Sequence, residues 1–348
     1  MSGAASFAHQ AEILKLARLF NLGEDRLAFL RSLDPATIRQ LRETATAALF
    51  DSDQHVFQRL AAATRLLPGK VSALIAEKAL GALICARIAG LLPPERAVDV
   101  ARRLHTPFLA DVCLELDPRH VRELIAMMPV DRVVEVAREL ARRQEYITMA
   151  RFVDSLGETA MRAILDALTD DAALLRVGFF VEDPAQLDAV VAMLPPARLG
   201  HMIRIAVTGP AELWPEALAL LQAIGESQRR RMAEQAAGLD DDVIGLMIER
   251  TQSQDLWAQL VPVVALIRRD QQQRLMRMPQ IDRTALESIV RSAEDLQDDP
   301  GLPELLAQLD DALLREARAL VTAQNPTLAD RLDAVIAAAA TAGPAAAR

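Results

Sequence analysis

Two stretches of the sequence decide the fold: LLPPERAVDVARRL (Leu91–Leu104) and MMPVDRVVEVAREL (Met127–Leu140). They align at an offset of 36 residues, and most aligned positions carry identical or chemically similar residues. In each stretch a proline stands at the start of a helical pattern, where its missing N–H leaves no hydrogen bond unmade. Apolar residues then follow at the spacing of one helix face, as at Val130, Val133 and Ala137. A helix start that recurs at a fixed offset is typical of a repeat architecture.

The same helix start occurs in looser form at four other places in the chain. Helices of about 10–13 residues cannot bury an apolar face alone, so neighbouring helix pairs must stack on one another. The sequence therefore predicts an all-α fold and, within it, a superhelix (solenoid) of short antiparallel helix pairs. An irregular helical bundle is the alternative. The looser copies are Leu33-Asp34-Pro35, Leu67-Pro68-Gly69, Leu116-Asp117-Pro118 and Leu194-Pro195-Pro196.

Helical periodicity extends over most of the chain, and two segments need a separate interpretation. Leu174–Val181 has the composition of a strand but no second strand to pair with, so a helix end or connector is favoured. Val71–Leu92 is the most apolar window, but it contains Glu77, Lys78 and Arg87. It is therefore predicted to be a buried helix pair and not a membrane span. Further helices are predicted over Phe7–Phe20, Thr37–Phe50, Glu182–Leu194, Asp240–Arg250 and Gly301–Val321.

The aligned stretches resemble the N-terminal cytosolic superhelical domain of MgtE-type magnesium transporters, and the related helical repeats of FliG. In that domain, short helix pairs opening with Leu-x-Pro-Glu/Asp-x-Ala/Val stack into a right-handed arc. The resemblance covers about Leu67–Ala206 and implies a right-handed superhelix that serves as a scaffold. Membrane spans and a strand pattern typical of nucleotide-binding modules are absent from the sequence. The resemblance therefore implies no magnesium transport and no magnesium ligands.

This resemblance suggests a division of the chain into four parts. N-terminal helices are expected over 1–66, and MgtE-like helical repeats over 67–208. Further repeats or a bundle are expected over 209–342. The last helix has high helix propensity and is expected to fray after Ala342, which leaves a frayed tail over 343–348.

The composition excludes several classes of protein. The chain has 348 residues, of which 51% are hydrophobic and 3% aromatic, and its formal net charge is −9. A disordered chain would be poorer in aliphatic residues, and a nucleic-acid-binding domain would be basic and richer in aromatics. We expect neither a nucleic-acid partner nor an integral membrane segment. Two distant cysteines fit a reducing cytoplasm, and abundant Ala and Arg with few Lys are typical of a GC-rich bacterial genome.

Clusters of charge have an ordinary interpretation. Paired arginines such as Arg142-Arg143 and Arg229-Arg230-Arg231 lie near predicted helix ends and are expected to form solvated helix faces. The run Asp240–Asp242 precedes an apolar helical stretch, and it is predicted to cap that helix.

The sequence contains no standard catalytic motif, so no catalytic residue is assigned and an enzyme is not favoured. No cofactor is expected. One metal or haem hypothesis rests on His105, Cys113 and His120, because imidazole and thiolate side chains lie within 16 residues of one another. The alternative is that Cys113 is a small buried hydrophobic residue and that the histidines lie near helix ends.

Methionines provide the candidate binding surface. Met127, Met128, Met202 and Met247 are flexible side chains that suit adaptable contacts, although methionine also fills gaps between packed helices. The leading hypothesis is a non-enzymatic cytoplasmic repeat protein that binds a protein partner on its curved surface. The alternative is a protein that encloses a hydrophobic or aromatic small molecule inside the superhelix.

Overall fold

The computed structural model describes residues 3–51, 54–64, 67–293, 296 and 301–341. Within these residues the chain forms helices and no strand, which confirms the predicted all-α class. Two 3₁₀ helices (Glu24–Ser32 and Pro118–His120) and a π-helical segment (Ala76–Leu80) accompany the α-helices. The α-helices are α1 Gly3–Phe20, α2 Pro35–Asp51, α3 Gln54–Thr64, α4 Gly69–Ile75, α5 Gly81–Ala89, α6 Pro94–Ala101, α7 Thr106–Glu115, α8 Arg122–Met127, α9 Val130–Arg142, α10 Tyr146–Val153, α11 Glu158–Ala167, α12 Asp171–Phe180, α13 Pro184–Met193, α14 Pro196–Thr208, α15 Leu213–Ala223, α16 Glu226–Ala237, α17 Asp241–Ser253, α18 Trp257–Val264, α19 Arg269–Met276, α20 Arg283–Ser292, α21 Gly301–Leu306, α22 Asp311–Gln324 and α23 Pro326–Thr341.

The two aligned stretches begin their helices with the same backbone geometry. Pro93 precedes α6 with φ −54° and ψ 136°, and Pro129 precedes α9 with φ −57° and ψ 137°. Proline restricts φ to about these values and has no N–H that needs a partner, so the residue itself sets the turn into the helix. The helix α9 ends at Arg142, two residues beyond the aligned stretch, and buries Val136 and Leu140 on its apolar face.

The chain falls into two compact units, His9–Met193 and Leu194–Arg348 with Met1–Ala8. In the first unit, α4 packs on α6, α5 on α7, α6 on α8, α7 on α9, α9 on α11 and α10 on α12. In the second unit, α14 packs on α16, α16 on α18, α18 on α20 and α20 on α22. In both units, therefore, many helices pack on the second helix along the chain.

An arginine side chain joins successive helix pairs at four places. Each guanidinium donates to the backbone carbonyl of a leucine that directly precedes the N-cap residue of an earlier helix. A carbonyl at such a turn lies outside the helical hydrogen-bond ladder, so it needs a donor from elsewhere. Two of these arginines occupy aligned positions of the sequence repeat. The four pairs are Arg96–Leu67, Arg132–Leu104, Arg231–Leu194 (2.6 Å) and Arg274–Leu239 (2.9 Å).

Several local predictions need correction. The predicted helix Gly301–Val321 is two helices. The Asp310 carboxylate accepts the backbone N–H groups of Ala312 and Leu313 and thereby starts α22. Asp240 stands at the N-cap of α17, but its carboxylate binds Arg204 at 2.7 Å and caps nothing. Arg231 donates to a carbonyl and is not a merely solvated residue. The segment with strand-like composition forms most of α12. The predicted tail, 343–348, lies outside the described residues.

The N-terminal helices have a small apolar core of their own. The helix α1, the 3₁₀ helix Glu24–Ser32 and α2 contribute its side chains, and Leu19 packs against it. Burial of these aliphatic groups holds the three elements together. The core consists of Ile13, Leu16, Ala17, Leu27, Leu30 and Ile38.

A glycine interrupts the helical run between α4 and α5. The π-helical segment ends at Leu80, and Gly81 adopts φ +78° and ψ 169° before the chain re-enters a helix. This region of backbone conformation is restricted to glycine, because a Cβ would clash with the neighbouring backbone. Gly81 therefore determines where the run bends.

Candidate interaction surface

The exposed large apolar side chains of the described residues all lie between Phe20 and Met127. Phe29 is 71% exposed, Leu74 58% and Leu83 53%. Every protein surface carries some apolar atoms, so it is the confinement to one part of the chain that is informative. The complete set is Phe20, Leu22, Phe29, Leu33, Leu41, Val71, Leu74, Leu83 and Met127.

The most apolar window of the sequence contributes three of these residues. Val71–Leu92 forms the predicted helix pair, but the prediction that the pair is buried is wrong for Val71, Leu74 and Leu83. Its fully buried positions are mainly alanines, which lie at the close helix contacts. Large side chains are thus left on the outer surface of α4 and α5.

On α4 and the π-helical segment, an exposed stripe combines apolar and basic residues. Lys70, Val71, Leu74 and Lys78 are all exposed. Spacings of three and four residues place side chains on one face of a helix, so these residues share a face. We call Lys70, Val71, Leu74 and Lys78 the α4 face. Its centre is apolar, and a lysine lies at each end.

A hydrogen-bonded carboxylate holds the π-helical segment against the start of α7. Glu77 accepts the backbone N–H of His105 at 2.6 Å, and its other oxygen lies 2.8 Å from His105 Nδ1. Burial raises the pKa of Glu77, but the hydrogen bonds from His105 outweigh burial and leave it below its ordinary value. Glu77 is therefore ionised and hydrogen-bonded to the start of α7, and its charge also interacts with that of Lys78.

A second feature of the first unit is a cluster of buried charges. Glu12 and Lys15 are 1% and 6% exposed. Lys15 Nζ lies 3.2 Å from Glu12 and 2.9 Å from Glu182, while Arg42 lies 3.2 Å from Glu12 and 2.8 Å from Glu182. Two cations thus each bridge the same two carboxylates, and Arg39 adds a contact to Glu12 at 3.3 Å. We call these five residues the ionic cluster.

The ionic cluster joins the N-terminal helices to a distant part of the same unit. Glu182 lies between α12 and α13, and Arg18 of α1 makes a parallel contact to Glu145 at 2.9 Å. Burial raises the pKa of Glu182, but the charges of Lys15 and Arg42 outweigh it and leave the pKa lowered. The carboxylate is therefore held in its charged form, and the ionic cluster fixes α1 and α2 to the segment between α12 and α13.

The four candidate methionines lie in different environments. Met127 is 47% exposed and Met128 half-buried, so these two stay candidates for a contact surface. Met202 and Met247 are 5% and 4% exposed, inside α14 and α17. They fill space between packed helices and cannot contact a partner at the surface. Enclosure of a hydrophobic small molecule stays a prediction.

His105, Cys113 and His120 each have their own surroundings. His105 binds Glu77, and His120 lies 3.5 Å from a carboxylate oxygen of Asp117. Burial raises the pKa of the Cys113 thiol to about 12. In the described part of the chain, no three His, Cys, Asp or Glu side chains converge as metal ligands would. The metal hypothesis therefore gains no support from the geometry.

Sequence reasoning missed both the α4 face and the ionic cluster. Lys70 and Lys78 are two of only three lysines in the chain, and this scarcity was the available signal for the α4 face. No local signal predicts the cluster, because Lys15 and Glu182 are separated by 167 positions. Such a contact depends on the tertiary fold.

Comparison of the chain with known proteins gives no relative. No protein-family model, curated protein or solved structure matches it. Separately, no single helix of the described residues combines the length and the apolar character needed to cross a membrane.

Proposed function

We propose that the chain is a non-enzymatic helical-repeat scaffold of the cytoplasm, a right-handed superhelix of stacked helix pairs that binds a protein partner. The packing of many helices on the second helix along supports the repeat arrangement. The recurring arginine-to-carbonyl contacts of Arg96 and Arg132 support it independently, because aligned residues make equivalent bonds.

One observation carries the binding function. The exposed large apolar side chains of the described residues are confined to positions 20–127, and all of them belong to the unit His9–Met193. Apolar groups concentrated in one part of a surface are typical of sites for protein contact, since their burial is favourable and their exposure to water is not. We therefore place the binding part of the scaffold within its first unit, since the described residues of the second unit include no exposed large apolar side chain.

Affinity purification of the full chain from its own cells, followed by quantitative mass spectrometry, tests the proposal. We expect at least one protein to be enriched in near-stoichiometric amount and to bind the purified chain directly in calorimetry. The matched control is the double variant Phe29→Ser/Leu74→Gln, which should recover less of that protein. If no protein binds the purified wild-type chain, the scaffold function is wrong.

A further inference from the structure

The α4 face offers a defined chemistry to a partner. We propose that it is the docking site for an amphipathic helix of a partner protein, with an apolar stripe flanked by carboxylates. The inference rests on the proposed scaffold function and names the partner's chemistry and the place where it binds.

The packing around α4 explains why the occupant is a helix. Its neighbour α5 has α3 on one side and α7 on the other, whereas α4 has α6 on one side only. In the described residues no earlier helix packs extensively on α4, because α2 packs with α1 in the N-terminal core. Val71 and Leu74 therefore lie exposed where a helix of a preceding pair would be expected.

The charges around the apolar centre select the partner. Lys70 and Lys78 are eight positions apart, which corresponds to about 12 Å along a helix. Carboxylates at two-turn spacing on a docked helix would reach both ammonium groups, while its apolar residues cover Val71 and Leu74. Both oxygens of Glu77, the nearest carboxylate in the sequence, are hydrogen-bonded by His105, while Lys70 and Lys78 are exposed.

The net charge favours a helix over a lipid surface. An anionic membrane would approach a broad area of a chain whose net charge is −9, and long-range repulsion would oppose that approach. A single helix contacts only the α4 face, whose two charged residues are both lysines. The occupant that fits both the shape and the charge is therefore an acidic amphipathic helix.

Fluorescence anisotropy with a designed peptide tests this inference on the full-length chain. The probe is a stapled, fluorescein-labelled helix of about 16 residues with leucines on one face and glutamates on both flanks. Its twin carries lysine in place of each glutamate. We expect the acidic peptide to bind at least about tenfold more tightly than the twin.

Variants of the α4 face provide the decisive comparison. Leu74→Gln should weaken binding of the acidic peptide by at least about tenfold, and Lys70→Glu/Lys78→Glu should transfer the preference to the basic twin. Ala319→Gln introduces the same side chain at an exposed position of α22, in the second unit, and should leave binding unaltered. Each variant changes only exposed side chains, so the fold should be retained. Circular dichroism of each variant verifies this.

Three results would overturn the inference: equal binding of the two peptides, acidic-peptide binding that Leu74→Gln leaves intact, or sedimentation with phosphatidylserine vesicles that Lys70→Glu/Lys78→Glu abolishes. A wild-type dimer in light scattering that Leu74→Gln converts to monomer would instead assign the α4 face to a second copy of the chain. In each case a partner found by affinity purification would leave the scaffold function standing.

Discussion

At the scale of single residues, Glu12 shows how the fold tolerates buried charge. The side chain is almost wholly removed from water, and three cations surround it. Removing a carboxylate from water is unfavourable unless charged partners replace the lost hydration. The contribution of Glu12 therefore lies in preventing Lys15 and Arg42 from being left without their full set of partners.

Replacement of Glu12 by glutamine measures this contribution. Because the change leaves buried cations incompletely compensated, we expect the free energy of unfolding to fall by about 3 kcal/mol. The matched control is Glu158→Gln, which breaks an exposed ion pair with Arg162 and should cost less than about 1 kcal/mol. Urea denaturation of both variants gives the comparison, and equal losses would show that the cluster contributes nothing special.

The two cysteines should be unreactive in the folded chain. Burial raises the pKa of Cys85 to about 11 and that of Cys113 to about 12, so little thiolate exists near neutral pH. We expect Ellman's reagent at pH 8 to label the native protein at least about 100-fold more slowly than the protein unfolded in guanidinium. Fast labelling of the native protein would contradict the burial, and Cys→Ser variants would identify the thiol responsible.

At the scale of elements, a bend without a loop separates α4 from α5. The bend depends on the conformation of Gly81, and a Cβ built at this position meets no atom within 4 Å apart from those of Gly81 itself and its two chain neighbours. Any effect of a side chain there is therefore a property of the backbone and not of crowding.

Gly81→Ala and Gly200→Ala make the same chemical change in opposite settings. At Gly81 the positive φ should strain alanine, and we expect a loss of about 2 kcal/mol in the free energy of unfolding. Gly200 lies inside α14 with no atom near its Cβ position, so alanine there should stabilise the helix by about 0.5–1 kcal/mol. Thermal denaturation measures both. A stabilising Gly81→Ala would refute the assigned bend.

The sequence predicts where helices begin and end better than it predicts which helices pack against one another. Helix α9 and its proline start follow from local spacing, because helix periodicity and capping depend on residues within a few positions. The start of α22 depends on the side-chain cap of Asp310, which a continuous apolar pattern conceals. The exposure of Leu74 depends on which helices pack beside α4, and neither composition nor periodicity specifies that.

At the scale of the whole molecule, the two compact units contain different probes. Both tryptophans of the chain, Trp214 and Trp257, belong to the unit Leu194–Arg348 and are 2% exposed. Their indole N–H groups donate to Thr251 at 3.0 Å and Gln252 at 2.6 Å. Their fluorescence therefore reports on the packing of that unit alone, whereas far-ultraviolet circular dichroism reports on the helices of both.

We expect the two units to unfold as separate cooperative blocks, because most contacts of each helix lie within its own unit. Leu140→Ala in the first unit and Leu218→Ala in the second each create a cavity at a fully packed site and should cost about 3 kcal/mol. In urea, Leu140→Ala should shift part of the dichroism transition to lower denaturant and leave the tryptophan midpoint in place. Leu218→Ala should shift the tryptophan midpoint. If Leu140→Ala moves both probes together by the same amount, the chain unfolds as one cooperative block, since a loss of packing in the first unit then reaches the tryptophans of the second.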